Sequence, residues 1–447
     1  MSGREGFGRY GLARWVAGGV TVLAVALVLP RVVPAGDEVD AQQRSAIIDA
    51  VSAKLEELYV YPRIADQMQE RLRSQSANGA YEDSQTLSSF LDAVNGDLLS
   101  VFPDGHLEVR VLRQGENGEQ SEEEWWQARS EASRNNNFGF HRVERLPGNV
   151  GYIDLRSFDY PSLAGETLAA AMALLAYTDA MIIDLRQNPG GRGELSQILL
   201  SYFFEDHRVH YLTEQDGVRG ITKQWWTVPW VQGRRRTDLP LYLLTSQGTG
   251  SAAEEFAFVL ANLERATLVG ETTAGAAHTT HSHTYPDLGI VIQMPDGRSY
   301  DPKTGQDWEG SGVKPHLEVP ADQALEAAHA ISVEALLAGA TRRERRFRLE
   351  WVTRELNSRR HPITLDEDAA REYVGEYGPR QITLADGDLY YQRRPRARYR
   401  LQPLGKDWFR VEGLDFFRIR FERGGAGHVT TLVGVSDDGQ EDSSERQ

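Results

Sequence analysis

The sequence predicts an α/β protein with a helical region in front of the α/β part and a small antiparallel β domain behind it. Three observations point there. Helical spacing of apolar residues dominates residues 40–100, as in Ile47 to Leu58 and Thr86 to Val94. From Gly148 to about Pro320, short apolar runs that read as buried strands alternate with helical stretches, the pattern of a mostly parallel sheet carrying helices. After Pro362 the texture changes to short strands and turns, such as Leu389 to Gln392, Trp408 to Val411 and Phe416 to Phe421.

The chain opens with Arg4, Arg9 and Arg14 ahead of an apolar run from Trp15 to Pro30. Val33, Pro34 and Ala35 then supply the small residues a signal peptidase prefers, before acidic Asp37 and Glu38. Residues 1–36 therefore read as a signal peptide or a membrane anchor. The apolar core is short for a comfortable span, so cleavage is preferred over retention, although Arg31 puts a charge before the cut. Retention would give membrane association through residues 15–33. On either reading the body of the protein is exported, to the periplasm or the cell exterior, or anchored facing outside the cytoplasm.

The boundaries that follow are a helical domain over 37–110, the α/β core over 111–340, a linker helix over 341–362 and the β domain over 363–435. Within the core, Gln114 to Asn137 is acidic and polar and is expected to be a mobile surface loop. The arginine-rich stretch Arg342 to Arg360 reads as the linker helix. Residues 436–447 are polar and acidic and are expected to be disordered. A chain of 447 residues has the length for two or three domains. Its net charge of −16 offers no basic face to neutralise phosphates, which excludes nucleic acid as a partner. With no cysteine, there are neither disulfides nor a lipidated N-terminal cysteine.

The chemistry is concentrated at three strand ends. Leu241 to Leu244 reads as a core strand, Gly248 and Gly250 permit a tight turn, and Ala252 to Leu263 has helical spacing, so Ser251 stands at a helix start. Free backbone N–H groups and the positive end of the helix dipole gather there, where they can stabilise a forming oxyanion. Ser251 is equally readable as a plain N-cap, with Glu254 completing a capping box. The strand Met181 to Leu185 runs into Gln187-Asn-Pro-Gly-Gly191, whose glycine pair lets backbone approach a ligand. The strand from Thr267 ends in Gly270-Glu-Thr-Thr-Ala-Gly275. Three such ends suggest one shared edge, where α/β sheets place ligand sites.

These segments, taken with Tyr59 to Pro62, Asp104-Gly-His-Leu107, Asn137 to Phe140, Glu144 to Ile153 and Trp308-Glu-Gly-Ser-Gly-Val313, resemble the C-terminal processing peptidases of family S41. Closest is the branch that includes the tricorn protease core and the repeats of interphotoreceptor retinoid-binding protein. The resemblance covers roughly residues 42–335. It implies a crotonase-like (ClpP/crotonase-type) α/β peptidase core and a serine endopeptidase that hydrolyses peptides or unfolded proteins without metal or cofactor.

One branch of the family pairs its serine with a lysine after the Gly-x-x-Thr-x-Gly turn. Ala276 stands at that position, so the resemblance implies the serine–histidine–glutamate arrangement: Ser251 as nucleophile, His106 as general base, Glu309 orienting the imidazole. The Gly190 or Gly191 amide and the Ala252 amide would be the oxyanion donors. Gly105 stands where the tricorn core has a serine linking histidine to glutamate, so Glu309 is expected to reach His106 directly or through water. No separate peptide-binding module is expected between His106 and Val150.

Two further features compete for function. His278, His281 and His283 could hold a transition metal, but strand alternation sets His278 apart from the other two, and no fourth ligand is evident. A loop contributing substrate contacts is the preferred reading, with no metal. Trp225, Trp226 and Trp230 could line a pocket for an apolar ligand, as in retinoid-binding relatives, which makes a non-catalytic binder the alternative function. The C-terminal strands resemble the lipocalin-like domains appended to some bacterial serine hydrolases, with aromatic residues read as core packing.

Overall fold

The computed structural model describes residues 38–113, 121–217 and 220–447. The N-terminal segment read as a signal peptide or anchor lies outside the described residues. Among the described residues, no helix is long and apolar enough to cross a membrane.

Three helices come first: α1 (Ala41–Leu58), α2 (Pro62–Ala77) and α3 (Leu87–Val101), followed by strand β1 (Glu108–Val111). Asp40 caps α1 by accepting the Gln43 amide, Pro62 starts α2 with a preset φ, and Thr86 and Ser89 form a reciprocal capping box on α3. The helices bury Val51, Leu55, Met68, Leu72, Phe90 and Val94 in one cluster that also contains Ile290, Ile292 and Met294. The helical region therefore shares its core with a strand far along the chain, and it does not close at residue 110.

After that come α4 (Glu122–Asn135), β2 (Phe140–Leu146), β3 (Val150–Leu155), α5 (Pro161–Leu174), β4 (Ala180–Asp184) and α6 (Gly193–Ser201). The core continues through β5 (His210–Asp216), β6 (Thr222–Trp226), β7 (Leu241–Thr245), α7 (Ala252–Asn262), β8 (Thr267–Gly270), β9 (His278–Tyr285), β10 (Ile290–Tyr300), β11 (Leu317–Glu318) and α8 (Ala324–Ala338). α4 stands within the stretch 114–137 expected to be a loop, of which 114–120 lie outside the described residues. Its reason is local: Ser121 and Glu124 form a capping box, and three glutamates occupy the first turn, where the helix dipole favours them.

Strands β11-β8-β7-β4-β3-β2 lie side by side in one sheet, parallel except for the β2 edge. Alternation along each strand feeds two cores. Ile183, Leu243 and Leu268 point towards α5, α6 and α7, while Ile182, Leu244 and Val269 pack under α8 and α9 (Arg343–Arg360). Truncating one of these fully buried side chains to alanine should cost about 2–5 kcal/mol. A second sheet, in the order β1-β10-β5-β6 with β9 also on β10, carries the helical region. This arrangement sets the α3–β1 link beside the carboxyl ends of the parallel strands.

The C-terminal part has a short helix α10 (Glu367–Arg371) and strands β12 (Gly375–Tyr377), β13 (Arg380–Ala385), β14 (Asp388–Arg393) and β15 (Arg398–Gly405). It ends with β16 (Trp408–Val411), β17 (Phe417–Arg423), β18 (Val429–Ser436) and β19 (Glu441–Glu445). Each strand pairs antiparallel with the next, and a bridge from Tyr377 to Arg446 returns the last to the first, making a barrel-like ring. Its aromatic residues pack on one another: Tyr373, Tyr377, Phe409 and Phe421 form a buried cluster. The expectation of disorder after residue 435 is corrected by β19. Thr431 to Val435 of β18 offer its polar residues a complete ladder, and backbone pairing does not depend on side-chain polarity.

Candidate active site

Ser251 is held in a conformation few residues tolerate. Its φ of +49° and ψ of −121° lie outside the regions open to L-residues, a strain of about 1–3 kcal/mol that the surroundings must impose. They do so by lashing the turn after β7 to the turn after β4. Thr249 Oγ1 donates to Leu185 O at 2.8 Å, Ser246 Oγ to Arg186 O at 2.6 Å, and the Gly250 amide to Asn188 O at 3.0 Å.

Gly190 lies against this turn so closely that a Cβ there would stand 2.7 Å from Ser251 Cβ. Its φ of +113° and the +130° of Gly191 also suit only glycine. The Gly190 amide is already taken by Asn188 Oδ1 at 2.9 Å. Among the described residues, no acceptor takes the Gly191 or the Ala252 amide. Of the two glycines considered from the sequence, Gly191 therefore has the open donor, alongside Ala252.

Glu254 is fully buried, and burial pushes its pKa up against several bonds that pull it down. Its carboxylate accepts the Ser251 amide at 2.9 Å, the Thr273 hydroxyl, the Gly275 amide at 2.6 Å and the Ala276 amide at 2.9 Å. The capping glutamate of the sequence reading thus also ties the helix start to the Gly270–Gly275 turn. That turn meets the Asp104-Gly-His106 link, where a Cβ on Gly105 would stand 3.2 Å from Ala276 Cβ.

On this second side stands a buried network. Asp104 Oδ1 accepts the His106 amide at 3.0 Å, and its Oδ2 accepts Tyr59 Oη–H at 3.0 Å and His278 Nδ1–H at 2.8 Å. Glu309 Oε2 accepts the Ala277 and His278 amides at 2.6 and 3.1 Å and lies 3.5 Å from His278 Nδ1. Glu309 Oε1 and His106 Nδ1 are buried without a partner. Of the two routes expected from Glu309 to His106, direct or through water, the direct bond is not formed. Glu309 meets His278, and Asp104 is the carboxylate beside His106.

The charges follow. Burial alone would raise the Asp104 pKa, but the His278 hydrogen bond and charge bring it below the usual value. Burial opposes protonation of His278, yet Asp104 and Glu309 outweigh it and raise its pKa. Both shifts favour an ionised Asp104–His278 pair. Glu309 is pushed up to about 7, by burial first and by the neighbouring Asp104 charge after it. Burial lowers the His106 pKa, partly offset by Asp104. No hydrogen bond joins Ser251 to an imidazole among the described residues, a separation that catalytic pairs often show without substrate.

Sequence reasoning singled out Ser251, His106 and Glu309 but gave no role to Asp104, Tyr59 or His278 in this network. Asp104 was legible as the first residue of its motif, whereas the partnership of His278 rests on tertiary placement alone. The three histidines of β9 do not converge: His278 is buried on Asp104, and the exposed His281 bonds Asp296. The donor atoms of Asp104, His278 and Glu309 do lie within 4.8 Å of one another, a set a divalent cation could use. The three tryptophans also part company. Trp225 is buried, Trp226 stacks on His210, and Trp230 is 74% exposed.

This chain is similar to several known proteins. A carboxyl-terminal-processing protease of Synechocystis sp. (strain ATCC 27184 / PCC 6803 / Kazusa) is 36% identical over 132 residues, 29% of each chain. The carboxy-terminal processing protease CtpA of Bacillus subtilis (strain 168) is 25% identical over 176 residues, 39% of this chain and 36% of that protein. The chain thus spans about a third of the length of these curated relatives. Among solved structures, the photosystem II D1 C-terminal processing protease is 14% identical with a TM-score of 0.39, covering 64% of this chain and 94% of that one. The tricorn protease is 14% identical with a TM-score of 0.42, covering 66% and 36%. Over its central strands and helices, residues 149–319, this chain matches the model of peptidase family S41.

Proposed function

We propose that the chain is an exported serine peptidase that hydrolyses peptides or unfolded proteins through an acyl-enzyme on Ser251. The observation that carries this reading is the strained Ser251 at the start of α7, facing two glycines and the open Gly191 and Ala252 amides. A backbone outlier of this kind persists where structure is invested in function. The match to family S41 and the processing proteases among its relatives support the reaction class.

Ser251 Oγ attacks the scissile carbonyl as His106 takes its proton, and the Gly191 and Ala252 amides receive the oxyanion. His106 then gives the proton to the leaving amine, and water, activated by the same imidazole, releases the acyl group. Its lowered pKa keeps His106 neutral and able to accept near pH 7. The ionised Asp104, bonded to the His106 amide, stabilises the imidazolium that forms. Glu309 acts at one remove, through His278.

Residues 37–447 should cleave casein and peptides and react with a fluorophosphonate. Ser251→Ala should abolish both, and His106→Ala should slow hydrolysis by about 10²–10⁴-fold. Labelling that survives Ser251→Ala would overturn the assignment.

A further inference from the structure

Gly105 puts no side chain between Glu309 and His106, and a Cβ there would already stand 3.2 Å from Ala276 Cβ. The contacts that join the two go round it, through His278. This residue stands at the head of β9 with its side chain fully buried, and it touches a group from each of three other segments. Its Nδ1 lies 2.8 Å from Asp104 Oδ2, on the α3–β1 link, and 3.5 Å from Glu309 Oε2, in the loop after β10. Its Nε2 lies 3.3 Å from Tyr61 Oη, on the α1–α2 link, and the two rings meet edge-on with centroids 5.2 Å apart.

The bonds favour a charged ring. Asp104 accepts from three donors, the His106 amide, Tyr59 Oη–H and His278 Nδ1–H, whereas a protonated carboxyl would need an acceptor for a proton of its own. Tyr61 Oη can accept from Nε2–H, so both ring nitrogens have a place for a proton. An imidazolium there also lets two buried acids, Asp104 and Glu309, hold oxygens within 4.8 Å of each other without uncompensated repulsion.

We infer that His278 is a positioning residue for the general base: as an imidazolium it clamps Asp104 to Glu309, and Asp104 in turn fixes the His106 backbone by its 3.0 Å bond to the amide. This rests on the peptidase reading, with His106 as the base. His278 acts through Asp104 and not on the substrate. A second effect comes from its charge. Burial lowers the His106 pKa most; of the charged groups facing it, Asp104 raises it and His278 lowers it further. Burial also works against a proton on His278 itself, while Asp104, Glu309 and Asp307 favour one; Asp307 is bonded in turn to Arg298. Removing the His278 charge therefore leaves Asp104 unbalanced beside His106, and His106 should hold its proton to higher pH.

Two variants separate position from charge. His278→Leu removes both the bond to Asp104 and the charge, and should lower kcat about 100-fold with KM little changed, the cost of a base about 1 Å out of place. His278→Asn offers Asp104 an N–H without the charge, and should recover most of that loss. In both variants the acid limb of kcat/KM should move to higher pH. The position of a limb does not depend on how much of the enzyme is folded, so a variant that is only partly stable still answers. A limb that stays where wild type has it would overturn the role even if the rates fall, and would leave the peptidase reading standing. An Asn variant as slow as the Leu variant would also overturn it, because the bond to Asp104 would then count for nothing. A wild type that neither cleaves nor labels would sink the peptidase reading, and the positioning role with it.

Discussion

Replacing Gly190 by alanine adds one methyl group and should silence Ser251. That methyl would stand 2.7 Å from Ser251 Cβ, 2.9 Å from Gly250 O and 3.0 Å from the Ala252 amide nitrogen, each well inside van der Waals contact. None of the three can retreat freely, because the Gly250 amide is bonded to Asn188 and the Ser251 amide to Glu254. The φ of +113° adds about 1–3 kcal/mol of backbone strain for a residue with a Cβ. Overpacking adds about another 1–3 kcal/mol. The sum is a serious fraction of the about 5–15 kcal/mol that holds a domain together. Relief by a shift of even about 1 Å at Ser251 or Ala252 should slow the chemistry about 100-fold. The assay is the second-order rate of fluorophosphonate labelling, read beside a thermal melt. Gly387→Ala serves as control: its φ of +82° carries comparable strain, with no atom within 4 Å of the added Cβ. Labelling of Gly190→Ala within about threefold of wild type would refute the close approach on which the oxyanion argument depends.

Three more outcomes follow from the same site. In a profile of kcat/KM against pH, the acid limb should fall below 6.5, because His106 must be neutral to accept a proton and its folded pKa is lowered; a limb above 6.5 would assign the base elsewhere. Dialysis against EDTA should leave hydrolysis intact, since Asp104, His278 and Glu309 are read as a proton-linked network; activity lost to EDTA and restored by zinc would make that trio a metal site. Ending the chain at residue 436 should lower the melting temperature of the C-terminal part and promote association, because it strips β19 from β18 and removes the Tyr377–Arg446 bridge; an unchanged melt would show the ring to be dispensable.

The parallel sheet and the Ser251 turn were legible because their determinants are local. Met181 to Leu185 and Leu241 to Leu244 are apolar runs bounded by turn residues, and glycines at 248 and 250 announce the sharp exit to α7. α4 and β19 were hidden by composition, since acidic and polar residues read as loop until a capping box or a neighbouring strand satisfies their backbone. The links of the site were hidden by distance. His278 lies 174 positions from Asp104, and nothing in either neighbourhood foretells their bond.

The closed ring at the end of the chain has a bearing on how that part meets other molecules. With Tyr377 bridged to Arg446 and the Gln447 amide bonded to Glu376 O at 2.9 Å, the first and last strands meet at one end and spend some of their outward N–H and C=O groups on each other there. An extended peptide arriving at that end would have to displace this bridge before it could add a strand there. Beside that closure the ring presents exposed arginines, Arg394, Arg396 and Arg398, so its charge and not a free backbone end is what it offers to solvent on that side.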